Sequence, residues 1–281
     1  MLGESWLAYF ESNQRKDCPP GDALYQEVPA ELRAPVVTSL GRFQLGESAG
    51  GRIHGEVNAH PDPLLDAAWR RSIQLYIEEE WRHARELGMV IESLGGELQR
   101  AHWTNGAFTA CRRLLGLRTK MLTLAIAEVV GIVYYRALAR GVGSAELAAS
   151  LERIASEEGK HLDFQAAFFE RAVARSPLRA GYRVFLRVQM FLVFSAAMGV
   201  LLVDHGCVLR AVGARPSSLV RAAWRELHER RFLTGTSGAG QPRPGTLAPA
   251  SANHVSTSTA RTHRPGFSQG EEHRAGHRLL S

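Results

Sequence analysis

The chain has 281 residues, long enough for one large domain or two small ones with ample core. Its formal charge of +6 is spread thinly, since residues 233–281 hold five Arg against two Glu and the remainder contributes only +3. That excludes the concentrated basic stripe of a nucleic-acid protein, so nucleic acid is not an expected partner.

Cys18, Cys111 and Cys207 are odd in number and far apart, which fits a reducing cytoplasm and no zinc site. Met1-Leu-Gly-Glu-Ser-Trp-Leu7 has an early acid and no apolar core of a signal peptide, so a cytoplasmic location is expected. Residues 1–34 read as an N-terminal arm, with a short helix over Glu4–Ser12 and a turn at Cys18-Pro-Pro-Gly21. No stretch alternates apolar and polar residues with period two, and no Asn-Gly turn joins β-branched runs, so the expected fold class is all-α.

Pro35 suits the first turn of a helix running towards His60. Gly50-Gly51 in its middle costs about 1 kcal/mol per glycine relative to alanine, and marks either a close contact beside Glu47 or a kink. Pro61-Asp-Pro63 breaks the chain, and Asp62 is placed to cap a second helix, which Gly95-Gly96 ends after Leu94. Ile73, Ile77, Glu80, Ala84, Leu87 and Ile91 form the inward stripe of that helix. A third helix is expected from about Gly106 to Arg140, with Leu124, Glu128, Gly131, Tyr135 and Leu138 on one face. Ser144 caps a fourth, reaching about Arg175, with Leu147, Leu151, Ile154, Glu158, His161 and Gln165 inward.

Ser176-Pro177 opens a fifth helix to about Val212. Its apolar run, Val188–Val203, is short of the roughly 20 residues needed to span a bilayer and contains Gln189 and Ser195. A helix buried against the core is the expectation, and membrane association the lesser alternative. His205 and Cys207, near its end, are not in phase with a second ligand and read as ordinary residues. Pro216-Ser-Ser218 caps a sixth helix, Leu219–Phe232, and from Leu233 the composition of Gly, Ser, Thr, Pro, Arg and His predicts a disordered tail over 233–281.

The chemistry-bearing residues lie on the second, third and fourth helices and at the middle of the first. Glu80 and His83 are three residues apart, as are Glu158 and His161, so each pair projects a carboxylate and an imidazole from one helix face. Glu47 precedes Glu80 by 33 residues and Glu128 precedes Glu158 by 30, about one helix, a turn and half the next helix. An antiparallel hairpin therefore brings each single Glu level with its Glu-x-x-His. Glu128 has no other charged residue within seven positions on either side, and metal coordination is one of the few ways to satisfy a carboxylate buried in such a run. Glu47, Glu80, His83, Glu128, Glu158 and His161 form a candidate ligand set for two metals about 3.5–4 Å apart. Tyr135 and Asp163 are candidates to support the ligands from behind, Asp163 by orienting an imidazole. Glu78 reads as solvated, and Glu79 is open between a solvated and a buried role.

Phe43-Gln-Leu-Gly-Glu47, Glu79-Glu-Trp-Arg-His-Ala84, Ala127-Glu128 and Glu157-Glu-Gly-Lys-His161 together resemble the ferritin-like superfamily over roughly residues 38–175. The resemblance implies a four-helix bundle with a carboxylate-bridged metal pair. Residues 35–232 would be the helical domain, with two additional C-terminal helices. The ligand set suits two iron ions, with manganese or a mixed pair as alternatives, and dioxygen as a reactant. The leading expectation is an oxidase or oxygenase with a small-molecule substrate and an electron-donor protein; a homodimer is compatible with it. Ferroxidase or storage activity, and a metal-free or membrane-associated helical scaffold, are the competing outcomes.

Overall fold

A computed structural model describes residues 2–14, 27–59, 62–103, 106 and 116–230. All of them fall within one compact unit, residues 1–242, and a second unit, 243–281, lies outside the described residues, as does the expected tail. The described residues are helical, with no strand among them. In chain order the helices are α1 (Leu2–Asn13), α2 (Ala30–Glu47), α3 (Gly51–Ala59), α4 (Ala67–Ser93), α5 (Leu117–Gly141), α6 (Ala145–Arg175), α7 (Arg179–Asp204), α8 (Gly206–Ala211) and α9 (Pro216–Glu229).

Two helix pairs supply the frame. α2 and α3 pack along α4, α5 packs along α6, and α4 meets α6 across the core. α1 is part of this core: Trp6 and Phe10 are fully buried, Phe10 packs edge-on to Phe164 of α6, and α1 lies along α4. α7 covers α5 and α6, and α9 packs on α5.

Local chemistry explains the boundaries, several of which differ from the sequence expectation. α2 starts at Ala30 after Pro29, with Glu31 in its first turn, so Pro35 sits inside the helix. The expected single helix to His60 breaks at a 3-10 turn, Ser48–Gly50. Gly50 is both kink and close contact, because a Cβ there would lie 2.7 Å from Cγ2 of Ile77 on α4. The cap of α4 is Asp66, whose carboxylate accepts from Trp69 N at 3.0 Å. Asp62 instead closes the preceding turn by accepting from Leu64 N at 2.9 Å. The other end of α4 stops as expected: Gly95 takes φ 77° and Gly96 N donates back to Ile91 O at 2.9 Å. Ser144 caps α6 from Leu147 N at 3.3 Å. The start expected for the third helix, near Gly106, falls among residues largely outside the description; α5 is described from Leu117.

α5 and α7 are both long and apolar enough to cross a membrane, but they are housed differently. Most of α5 is buried, whereas only a third of the apolar window of α7 is. Leu186, Met190, Phe194, Ala197 and Leu201 of α7 face inward, while Val184, Phe185, Val188, Phe191 and Leu192 are more than half exposed. This corrects the expectation of a helix buried all round: among the described residues, one face of α7 packs against α5 and α6 and the other is exposed. The helix also ends at Asp204 rather than Val212: His205 leaves helical geometry (φ −107°, ψ 3°) with its ring turned towards Ser39 of α2.

Candidate metal centre

α4 and α6 each present their Glu-x-x-His face to the other. Glu80, His83, Glu158 and His161 are all buried, and one ligand atom from each lies within 4.8 Å of those from the others. The imidazoles are arranged alike. His83 Nδ1 lies 3.0 Å from Glu158 Oε1, and His161 Nδ1 lies 2.9 Å from Glu158 Oε2 and 2.7 Å from Glu80 Oε1. The last of these contacts lacks hydrogen-bond geometry, so Glu80 Oε1 is a buried acceptor without a hydrogen-bond donor.

The second nitrogen of each ring reaches across to the other helix. His83 Nε2 is 2.9 Å from Glu157 Oε2, and His161 Nε2 is 3.2 Å from Glu79 Oε2. Arg82 joins these outer carboxylates, with Nη2 2.7 Å from Glu79 Oε1 and 2.9 Å from Glu157 Oε2. Asn13 of α1 donates to Glu79 Oε1 at 3.0 Å. A carboxylate on the far nitrogen sets an imidazole's orientation and tautomer and frees Nδ1 for a metal. Glu79, His83 and Glu157 also lie close enough together to hold an ion, but their two carboxylates already share the cation Arg82.

Glu47 and Glu128 close the set from α2 and α5. Glu128 is buried, accepts from the hydroxyl of Tyr76, and has Gln165 Nε2 at 3.4 Å. Glu47 is half-buried and accepts from Tyr135 Oη at 2.7 Å. Burial raises the pKa of both well above the usual carboxylate range, and their proximity to Glu80 and Glu158 pushes the same way. For Glu158, burial alone would act upward, but the charge of His83 and hydrogen bonds from Glu128 and both imidazoles hold it well below. Burial would lower the pKa of His83 and His161; the carboxylates win and raise both, led by Glu158 for His83 and Glu80 for His161.

The six glutamates, two histidines and Arg82 thus form one buried electrostatic unit. Even with both imidazoles protonated, six ionised carboxylates leave three uncompensated negative charges. Without a metal, protons on Glu47 and Glu128 relieve that excess, as their raised pKa shows. Divalent cations would relieve it as well, and the all-oxygen and imidazole donor set fits iron or manganese.

Of the six residues proposed as ligands, the structure gathers Glu80, His83, Glu158 and His161 into one group; Glu47 and Glu128 lie outside that group and interact with Glu80 and Glu158 through charge, with Tyr135 donating to Glu47. Asp163 does not take the role expected of it. Its carboxylate pairs with Arg230 at 2.8 Å, and Glu79 and Glu157 orient the rings. The repeated Glu-Glu-x-x-His doublet was the sequence signal for those two residues, although it did not show that each carboxylate would serve the histidine of the other helix. Tyr76, one turn before Glu80, and Asn13, on a helix remote in sequence, carried no such signal.

A cavity of about 140 Å³ adjoins the centre. Glu47, Glu128 and Glu158 line it, together with Leu124, Val130, Leu201, Arg42 and His205. No family model matches the chain, and no curated protein or solved structure does either, so the chemistry of this centre rests on its geometry.

Proposed function

We propose that the protein is a ferritin-like di-iron oxidase or oxygenase that uses dioxygen on a small organic substrate. The observation that carries this reading is the meeting of two Glu-x-x-His pairs, flanked by Glu47 and Glu128, beside an apolar-walled cavity. Two iron ions held by Glu47, Glu80, His83, Glu128, Glu158 and His161 would supply dioxygen-activating redox chemistry, recharged by an electron-donor protein. The chain's own contribution is positional. Glu79 and Glu157 fix the imidazoles, Tyr76 and Gln165 hold Glu128, and Tyr135 holds Glu47. The cavity offers room for a substrate next to these carboxylates while Phe43 and Leu201 keep its walls apolar.

Anaerobic loading with ferrous iron, followed by exposure to dioxygen, tests the proposal. Saturation near two irons per chain, with dioxygen consumed and no mineral accumulating, is the expected result. Continued oxidation to hundreds of irons per assembly would make this a storage protein. Failure to bind iron at all would remove both redox readings and leave a helical scaffold.

A further inference from the structure

The cavity lining also holds a second polar group, built around Arg42 and His205. Ser39, two turns before Glu47 on α2, has its Oγ 2.7 Å from both Tyr134 Oη and His205 Nδ1. Ser39 itself lies roughly 12 Å along α2 from Glu47, at about 1.5 Å per residue. The ring is packed 4.8 Å from Phe43, which itself stacks on Tyr134 at 4.1 Å. Burial, with the charges of Arg42 and His102, lowers the pKa of His205 to about 3, so the imidazole is neutral. Among the described residues lining the cavity, Arg42 is then the one cation. Its Nη1 donates to the backbone carbonyl of Asp204, while Nε is buried without a partner. The Asp204 carboxylate lies 3.9 Å from His102 and is not part of the lining.

We propose that this cavity binds a small organic carboxylate, its anionic head on Arg42 and His205 and its apolar body beside Glu47, Glu128 and Glu158. The assignment deepens the di-iron reading by naming the substrate class, but the binding itself requires no metal. Charge sets the orientation: the glutamates repel a carboxylate, and the Arg42 guanidinium on the lining attracts one. Volume sets the size. A cavity of about 150 Å³ accommodates benzene, so 140 Å³ suits one aromatic ring or a short alkyl chain.

The test is a calorimetric titration of the metal-free full-length protein with benzoate and with its neutral isostere benzamide. Benzoate is expected to bind at least tenfold more tightly. Arg42→Met should remove that preference, weakening benzoate tenfold or more and benzamide less than about threefold. Ala197→Phe, which fills the cavity from α7, should abolish binding of both, and it keeps the test decisive if Arg42→Met does not fold. Equal affinity for the two ligands, or benzoate binding that survives Ala197→Phe or a folded Arg42→Met, overturns the proposal. Iron stoichiometry on the same samples separates the two readings. Two irons without a carboxylate preference removes only the substrate class, and a carboxylate preference without iron removes only the metal pair.

Discussion

The two halves of the centre share a plan but differ in how they hold their single glutamate, Glu128 or Glu47. In one half Glu128 sits mid-helix in α5, buried and held by Tyr76 and Gln165. In the other Glu47 is the last residue of α2, half-buried, held by Tyr135, and followed at once by a 3-10 turn. The α4 and α6 motifs are nearly equivalent, yet they are not independent: each histidine is oriented by the outer carboxylate of the opposite helix. A duplicated pattern has become one interlocked unit, and asymmetry enters where the unit meets the cavity.

The largest expected effect breaks the apparent equivalence of Glu80 and Glu158. Glu158 lies within 3.0 Å of both imidazoles, whereas Glu80 approaches only His161. Glu158→Ala should lower metal affinity by more than about 100-fold, beyond the 10–100-fold typical of supporting residues. Glu80→Ala should lose less, and elemental analysis after anaerobic loading measures both. Equal losses would mean that the halves act separately.

Arg82→Met probes the interlock itself. It leaves Glu79 and Glu157 buried without their shared cation and should cost about 3–5 kcal/mol in urea unfolding of the metal-free protein. A loss under 1 kcal/mol would show that the outer carboxylates are not tied together in this way.

A pH series sharpens the role of the metal. Glu47, Glu128, His83 and His161 have pKa values raised by folding, so the folded metal-free chain binds protons that the unfolded chain has released. Their stabilising contribution is present below the ordinary values of 4.5 and 6.5 and is lost as pH rises. The lowered carboxylates Glu79, Glu157 and Glu158 act only below that window, and His205, lowered to about 3, opposes the trend below 6.5 with one proton against the two on Glu47 and Glu128. The melting temperature of metal-free protein should therefore fall from pH 5 to 8. Metal must displace the same protons, so the gain on loading should grow with pH. A gain that shrinks with pH would refute the assigned coupling.

The smallest effect is expected at Asp163. Its pair with Arg230 is partly exposed, so Asp163→Ala should cost under about 1 kcal/mol and leave metal content unchanged. Loss of metal in this variant would return Asp163 to the centre.

The helical periodicity of Ile73, Ile77, Leu87 and of Leu151, Ile154, Gln165 was legible because burial of one face imposes the 3.6-residue repeat on sequence. The isolation of Glu128 in an apolar run was legible for the same reason: burying a lone carboxylate there is costly without a partner. Boundaries were less so. Asp62 and Asp66 are equally good caps on paper, and only the path of the chain into α4 chose Asp66. Breaks at Gly50 and His205 depend on contacts with Ile77 and Ser39, which belong to other helices.

By itself, then, the sequence determined the helical class and the two Glu-x-x-His faces, because these follow from periodicity within one helix. Tertiary structure alone decided that Glu157 serves His83 and Glu79 serves His161, that Arg82 ties the two, and that Asp163 turns away to Arg230. It also decided that one face of α7 stays exposed and that Arg42 meets His205 at the cavity. Such pairings join helices far apart in sequence. Their partners are selected by packing geometry and by the need to neutralise charge in a buried space, and neither leaves a local pattern in the chain.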